Sequence, residues 1–436
     1  MWRNLESGQK ARLDAACAEA MWTEGAPLLN VGLSVFNSED ILYEGYFGTE
    51  RPGPSASPFG AETRLRVASL SKHAVVMGLL KLAERGLVDL EADISGYLGF
   101  ELRNPAYPGR PIALWMLPSH CSSLRDAGFY FPPLGVRISE LFEKGSPYWA
   151  EGAHFASPDE ASGSDLGPGS FYSYCNLGYG LLGTIIERVS GKRFDLYMDE
   201  EVFKPLGIGA AFNPGLLSEQ AFSRLAPVYR SEAWVAGSPV WAPQVDDYGH
   251  PEDGLGRDFV RRLPGSKAHL EDYEPGTNGA LFSPQGGMRI NLRGLSRLCQ
   301  TLLRFGMAPG DGTRILSPGS VAAMLQPRWR RGVSWRGGPA NGDSGASRIL
   351  AAGLGLMLGS RQVGLGGKGA RLLWGHHGSA YGFLGGMYFD PGSGLGYAYM
   401  IGGTSKDPET FCPGPGDLNY WEAGLRARVE SLIPWS

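Results

Sequence analysis

An antiparallel sheet flanked by helices, built from both chain ends around an inserted, mainly helical region, is the α/β class (of the α+β type) that this sequence predicts. Three observations carry that expectation. Alternating β-like runs lie near residues 30–48 and again between 371 and 403, while the strongest helical periodicities fall between them or at the extreme ends. With 436 residues, 43% of them apolar, the chain can bury a large core and exceeds the usual size of one domain. Its 65 glycines and 31 prolines are scattered without a repeat period and mark many turns and long loops. The division predicted is a sheet domain of residues 1–66 and 276–436 and a mainly helical domain of residues 67–275.

Each element has a local reason. MWRNLESGQKARLDAACAEA reads as an amphipathic helix, and NVGLSVFNSEDILYEGYFG (30–48) as a hairpin around Asn37-Ser38-Glu39-Asp40. In RLRVASLSKHAVVMGLLKLAERGLVDL, Val76, Leu79, Leu80 and Ala83 follow helical spacing and Gly86 stops the helix. In LGYGLLGTIIERVSG (177–191), Leu177, Leu181, Ile185, Ile186 and Val189 form one face and Gly191 ends it. SPDEASGSDLGPGS (157–170) and PVWAPQVDDYGHPEDG (239–254) read as long polar loops, which in a compact protein are usually functional rims. RLLWGHHGSAYG (371–382), GGMYFD (385–390) and LGYAYMIGG (395–403), separated by turns such as PGSG, predict consecutive antiparallel strands. DLNYWEAGLRARVESLIPW is a terminal helix.

Composition excludes several function classes. A net charge of −4 offers no global basic surface for a phosphate backbone, so no nucleic-acid partner is expected. No apolar run reaches the length of a membrane span, and the N-terminus is not a basic leader with an apolar centre. A soluble chain follows, with the cytoplasm favoured and the periplasm or secretion left open. Cys17, Cys121, Cys175, Cys299 and Cys412 are odd in number and far apart, which points to free thiols. The seven histidines lack metal-binding spacing, and no metal or cofactor is expected. Gly364–Gly369 matches G-x-G-x-x-G, but a strand-like run follows it instead of a helix, against a dinucleotide site. The expected partner is a small-molecule ester, amide or peptide substrate; oligomeric state is not written in the sequence.

VASLSKHAVV (67–76) holds the first candidate group. Ser69 stands where a β-like run passes into an apolar helix, and Lys72, three residues on, shares its face. Lysine acts as a base only when neutral, and the neighbours Val67, Ala68, Leu70, Ala74, Val75 and Val76 supply the apolar surroundings that favour the neutral form. Spacing alone fits equally a surface lysine whose stem lies along the helix. Ser7-Gly8-Gln9-Lys10 has the same spacing in an exposed polar turn and carries no chemistry.

Two further stretches add to it. Tyr174-Cys175-Asn176, the one Y-x-N in the chain, ends a Gly/Pro-rich loop before an amphipathic helix. It offers a phenol for proton transfer and a carboxamide for a substrate amide, or else a buried tyrosine with a capping asparagine. His376-His377-Gly378-Ser379 lies in a predicted strand, where successive side chains diverge, so one histidine at most faces a site. Gly378 permits close approach of a ligand to the backbone, and the Ser379 N–H can serve as an oxyanion donor. A paired-histidine metal site fits poorly, because the two rings diverge.

Taken in order, Ser69–Lys72, Tyr174–Asn176 and His376–Gly378 resemble the S-x-x-K, Y-x-N and K/H-x-G motifs of the serine β-lactamase and penicillin-binding-protein superfamily. The branch resembled is that of class C β-lactamases, D,D-peptidases, D-amino-acid amidases and family VIII esterases. The likeness runs from about residue 25 to 403 and includes the connectors ERGLVDLEADISGYL, LPSHCSSLRD and EVFKPLGI. It implies a sheet domain beside a helical domain with the site between them, and an acyl-enzyme formed on Ser69. Lys72 and Tyr174 would share the base and proton-relay roles, and the N–H groups of Ser69 and Ser379 would form the oxyanion hole. Asn176 would hold the acyl side chain, and His376 replaces the family's lysine, removing a permanent charge for a penicillin-like carboxylate. Cys175 and Cys121 replace a serine and a threonine, either as simple small-residue swaps or, for Cys175, as a thiol that makes the site sensitive to thiol reagents.

The leading expectation is a serine hydrolase of small esters or amides. Trp241, Trp329, Trp335, Trp374 and Tyr381 would edge the cleft and suit an apolar acyl group. A D-amino-acid peptidase, amidase or D,D-carboxypeptidase is the alternative, with arginines of QPRWRRGVSWRGG (326–338) available for a carboxylate; an acyltransferase, a β-lactamase or a non-turnover sensor follow. Asp246, Asp247, Glu252 and Asp253 resemble an acid pair, and a surface rim explains them equally well.

Overall fold

The computed structural model describes residues 5–158, 163–247, 263, 266, 268–332, 341–343, 349–359, 372–413 and 418–435. Gly364–Gly369, Trp335, Glu252 and Asp253 lie outside the described residues. An eight-stranded antiparallel sheet organises the rest. Its strands are β1 (Asn30–Asn37), β2 (Ile41–Gly48), β3 (Trp329–Arg330), β4 (Ala351–Ala352), β5 (Met357–Leu358), β6 (Trp374–Ala380), β7 (Phe383–Asp390) and β8 (Leu395–Ile401). They run in the order β2-β1-β8-β7-β6-β5-β4-β3. Both chain ends therefore meet at the β1–β8 ladder, where Gly32 lies opposite Met400 and Val35 opposite Tyr397.

Period-two alternation explains why this sheet is covered on both sides. Val31, Leu33 and Val35 of β1 join Tyr397, Tyr399 and Ile401 of β8 in one apolar cluster. That cluster includes Leu13 and Cys17 of the first helix, α1 (Ser7–Met21), and Trp421, Leu425 and Val429 of the last. On the opposite face, Phe36, Ala398 and Met400 belong to the main core with Leu295, Leu298 and Leu302. Those leucines lie on the helix Leu292–Leu303, which Ser296 ties to β1 through a 2.9 Å bond to Ser34 Oγ.

Two central helices run under the site. α2 (Ser71–Glu84) follows a single turn of 3-10 helix at Ala68–Leu70 and is buried over most of its length, and the chain leaves it with Gly86 at φ 69°. α3 (Leu177–Ser190) ends at Gly191 in the left-handed region, φ 69°, as its sequence requires. The turn of the first hairpin is as the sequence predicts: Asn37 Oδ1 accepts the N–H groups of Glu39 and Asp40, both at 2.7 Å.

One loop expectation is corrected. Residues 239–254, read as a polar loop, begin as a strand: Ser238–Val245 pairs antiparallel with Val228–Val235, which in turn pairs parallel with Gly403–Thr404. Its Pro239 and Pro243 hid it, yet this strand is the edge of a three-stranded sheet, the place where proline is tolerated. Asp246 is likewise no surface rim. It is buried and accepts both Arg289 Nε at 3.0 Å and Nη2 at 2.6 Å, whereas Asp247 is the exposed partner of Arg51. Among the described residues no helix is long and apolar enough to cross a membrane, and no group of three potential metal ligands occurs.

Candidate active site

Ser69 sits in the turn that starts α2, preceded by Ala68 at φ 46°. That conformation is strained for an L-residue, and it is held in place by its surroundings. Ser71 Oγ donates to Ala68 O at 2.6 Å and accepts from Met288 N at 3.0 Å, while Val67 N donates to Met288 O at 2.9 Å. The serine hydroxyl is thereby fixed, half-buried, between two polar groups. Lys72 Nζ lies 3.0 Å from Ser69 Oγ, and the Tyr174 hydroxyl donates to the same oxygen at 2.8 Å.

Lys72 has no exposed surface. Burial pushes its pKa down to about 7, against the pull of the Asp126 charge, which favours the ammonium. Besides Ser69 it touches two groups that can only accept, Asn176 Oδ1 at 2.9 Å and the Gln285 carbonyl at 2.7 Å. A neutral amine has two N–H bonds and one lone pair. With both N–H bonds directed to Asn176 and Gln285, the lone pair faces Ser69 Oγ. The rings of Tyr174 and Tyr179 close the site, with centroids 4.9 and 5.1 Å from Nζ. Burial pushes the Tyr174 phenol above its ordinary range, so it is a proton donor at neutral pH.

The carboxamide between the motifs has a partner that sequence reasoning missed. Asp126 accepts Asn176 N at 2.7 Å, Asn176 Nδ2 at 2.9 Å and Leu177 N at 2.9 Å, so it anchors the Y-x-N motif and caps α3 together. Asn176 is thus occupied on both sides of its amide, bridging Lys72 and Asp126. His120 was missed too. Its ring stacks on Tyr174 with centroids 4.3 Å apart, and its Nδ1 accepts from Cys175 N at 3.1 Å. Both belong to the connector LPSHCSSLRD, but they lie 50 and 55 residues from their partners, and no local pattern announces such contacts.

The third stretch is placed beside Ser69 by β6. A methyl group at Gly378 would stand 2.9 Å from Val67 O and 3.1 Å from Leu70 Cγ, so glycine lets the strand lie against the Ser69 turn, while Ser379 at the next position is exposed. The two histidines diverge as the strand period requires. His377 reaches Glu422 at 2.9 Å on the terminal helix, and His376 faces Tyr174 with ring centroids 6.2 Å apart. His376 is 2% exposed, and its Nδ1–H donates to the His377 carbonyl at 2.6 Å. Burial, with Lys72 nearby, holds its pKa down to about 3, so the imidazole is neutral.

Other expected cleft residues are placed differently. Trp329 and Trp374 are buried, the former packed against Tyr172 with ring centroids 4.8 Å apart and the planes tilted, because β3 and β6 turn them into the core. Trp241 lines a separate groove of 580 Å³ with Trp22 and Trp234. Tyr381 is 38% exposed beside Arg66, whose guanidinium lies 5.4 Å from the ring centroid. Arg328 pairs with Glu91 at 2.6 Å. Cys175 is 1% exposed and burial raises its thiol above the ordinary range, so the reagent-sensitive thiol expected there is a shielded one.

A sequence profile of the Beta-lactamase family matches residues 15–411. The chain belongs to the Beta-lactamase family. Within it, the chain is 28% identical over 184 residues to the D-alanyl-D-alanine-carboxypeptidase/endopeptidase AmpH of Escherichia coli K12, covering 42% of this chain and 45% of that one. It is 26% identical over 299 residues to penicillin-binding protein 4 of Amycolatopsis lactamdurans, covering 64% and 65%. The chain thus spans about half to two thirds of these curated relatives. Among solved structures, the D-amino acid amidase of Ochrobactrum anthropi SV3 superposes with a TM-score of 0.63 at 19% identity, over 98% of this chain and 100% of the other, a likeness of fold.

Proposed function

We propose that this protein is a serine hydrolase that cleaves small esters or amides through an acyl-enzyme on Ser69. The observation that carries the reading is a serine oxygen held at 3.0 Å from a buried, partly neutral lysine and at 2.8 Å from a tyrosine hydroxyl. In the first step Lys72 Nζ takes the Ser69 proton while Oγ bonds to the substrate carbonyl carbon. The resulting oxyanion is received by the main-chain N–H groups of Ser69 and Ser379. As the intermediate collapses, the C–O or C–N bond breaks, and Tyr174 passes a proton to the leaving group while recovering one from Lys72. A water then attacks the acyl carbon, giving up its proton to the same pair, which returns it to Ser69 Oγ as the Oγ–C bond breaks and the acid product leaves. Asn176, Gly378 and His376 border the reacting carbonyl, and the site lies at the junction of a sheet domain (1–66 and 276–436) and a mainly helical domain (67–275).

A D-amino-acid peptidase or amidase is the second reading, favoured by what the relatives are named for: a D-alanyl-D-alanine carboxypeptidase and a D-amino acid amidase. Efficient penicillin cleavage is disfavoured, because the neutral, buried His376 supplies no fixed cation for a carboxylate. The test is intact-protein mass after brief exposure to a fluorophosphonate, with turnover of a nitrophenyl ester and of D- and L-amino-acid anilides. An adduct on Ser69 and loss of turnover in both Ser69→Ala and Lys72→Ala are expected; undiminished turnover in Ser69→Ala would overturn the reading. Preference for the D-anilides would select the second reading.

A further inference from the structure

Asp126 lies outside the three motifs, yet its contacts determine how the second is presented. A carboxylate can only accept hydrogen bonds, so the Asn176 carboxamide is held with Nδ2 toward Asp126 and Oδ1 toward Lys72. The second face of Lys72 is fixed by the Gln285 carbonyl, itself an acceptor. If the carboxamide turned over, Nδ2–H would face Lys72, and the neutral amine would point its lone pair there and away from Ser69.

We propose that Asp126 is a positioning residue that aims the Lys72 lone pair at Ser69 Oγ by locking the orientation of the Asn176 carboxamide. This rests on the hydrolase reading. Asp126 also holds the helix below: Oδ1 binds the N–H groups of Asn176 and Leu177 at the start of α3, so the orientation is tied to a rigid element. Replacement by asparagine leaves a side chain that can present either an oxygen or a nitrogen to Asn176, so the lock is lost with the shape almost unchanged.

The experiment follows the rate of Ser69 labelling by a fluorophosphonate from pH 5 to 10 in wild type, Asp126→Asn, Asn176→Ala and the double variant. Asp126→Asn is expected to lower the pH-independent rate roughly 10- to 100-fold, the scale of a partly lost general base. Its acidic limb is expected to move to lower pH, since the carboxylate no longer favours the lysine ammonium. In the Asn176→Ala background, Asp126→Asn should add little, because the two act as one unit. A merely structural role would reduce the amount of labelled protein and leave the rate per folded molecule unchanged, whereas the limb moves with the lost charge in either case. Should Asp126→Asn fail to fold, Asp126→Ser keeps an acceptor for the helix N–H groups and is read in the same way. A folded variant whose rate matches wild type, or losses that multiply in the double variant, would overturn the proposal while a labelled wild type leaves the hydrolase reading standing. A wild-type Ser69 that takes no label at any pH overturns both.

Discussion

In the proposed mechanism the chemistry turns on Lys72, and its protonation gives a direct test. Below about pH 7 the amine is an ammonium with no lone pair; above it the neutral form grows and can take the Ser69 proton. Tyr174, raised above its usual range, stays protonated well into alkaline solution. The kcat/KM for a nitrophenyl ester should therefore rise through a limb centred near pH 7 and hold level to about pH 9. A limb centred near pH 10 would mean that the lysine is not desolvated in the free enzyme. At this scale the sequence singled out Ser69, Lys72, Tyr174 and Asn176, which the fold brings into contact, because each falls in a short motif at a helix start. It was silent about Asp126, His120 and Gln285, whose partners are reached only through the fold.

At the scale of elements, the approach of β6 to the Ser69 turn is set by one missing side chain. In Gly378→Ala the new methyl meets Val67 O at 2.9 Å, and the Leu70 and Phe383 side chains, at 3.1 and 3.3 Å, leave it little room. The strand must shift away from the turn, moving the Ser379 N–H relative to Ser69. Displacing this proposed oxyanion donor is expected to cost about 10²-fold or more in kcat, with KM changed far less; unchanged kcat would show that the strand position is irrelevant to the reaction. The helices α2 and α3 and the β1–β2 hairpin were legible because apolar spacing, Gly191 and the Asn37 turn all act locally. The edge strand Ser238–Val245 was not, since its prolines obey a rule about sheet edges, and which strand becomes an edge is decided by assembly.

For the molecule as a whole, buried imidazoles make acid the vulnerable direction. His73 and His376 are pushed down by burial to about 4 and about 3, and His120 is held well below its usual value. Unfolded imidazoles take up protons near pH 6.5, so acid favours the unfolded chain and stability falls as pH drops below that value. Each such histidine contributes roughly 1.4 kcal/mol per pH unit until its folded pKa is reached. Urea midpoints should fall steeply between pH 7 and 5, and His73→Phe should flatten that fall; an unaltered slope would mean that this imidazole already finds its proton in the folded state.

By itself the sequence determined the fold class, the sheet drawn from both chain ends and the three motifs, because periodicity, turn residues and short spacings act within a few residues. Only the tertiary structure decided that Lys72 is fully enclosed, that Asp126 fixes Asn176, that His376 is buried and neutral, and that Trp329 and Trp374 belong to the core. Those properties come from desolvation and from contacts between segments tens to hundreds of residues apart, and neither is encoded in any local stretch of the chain.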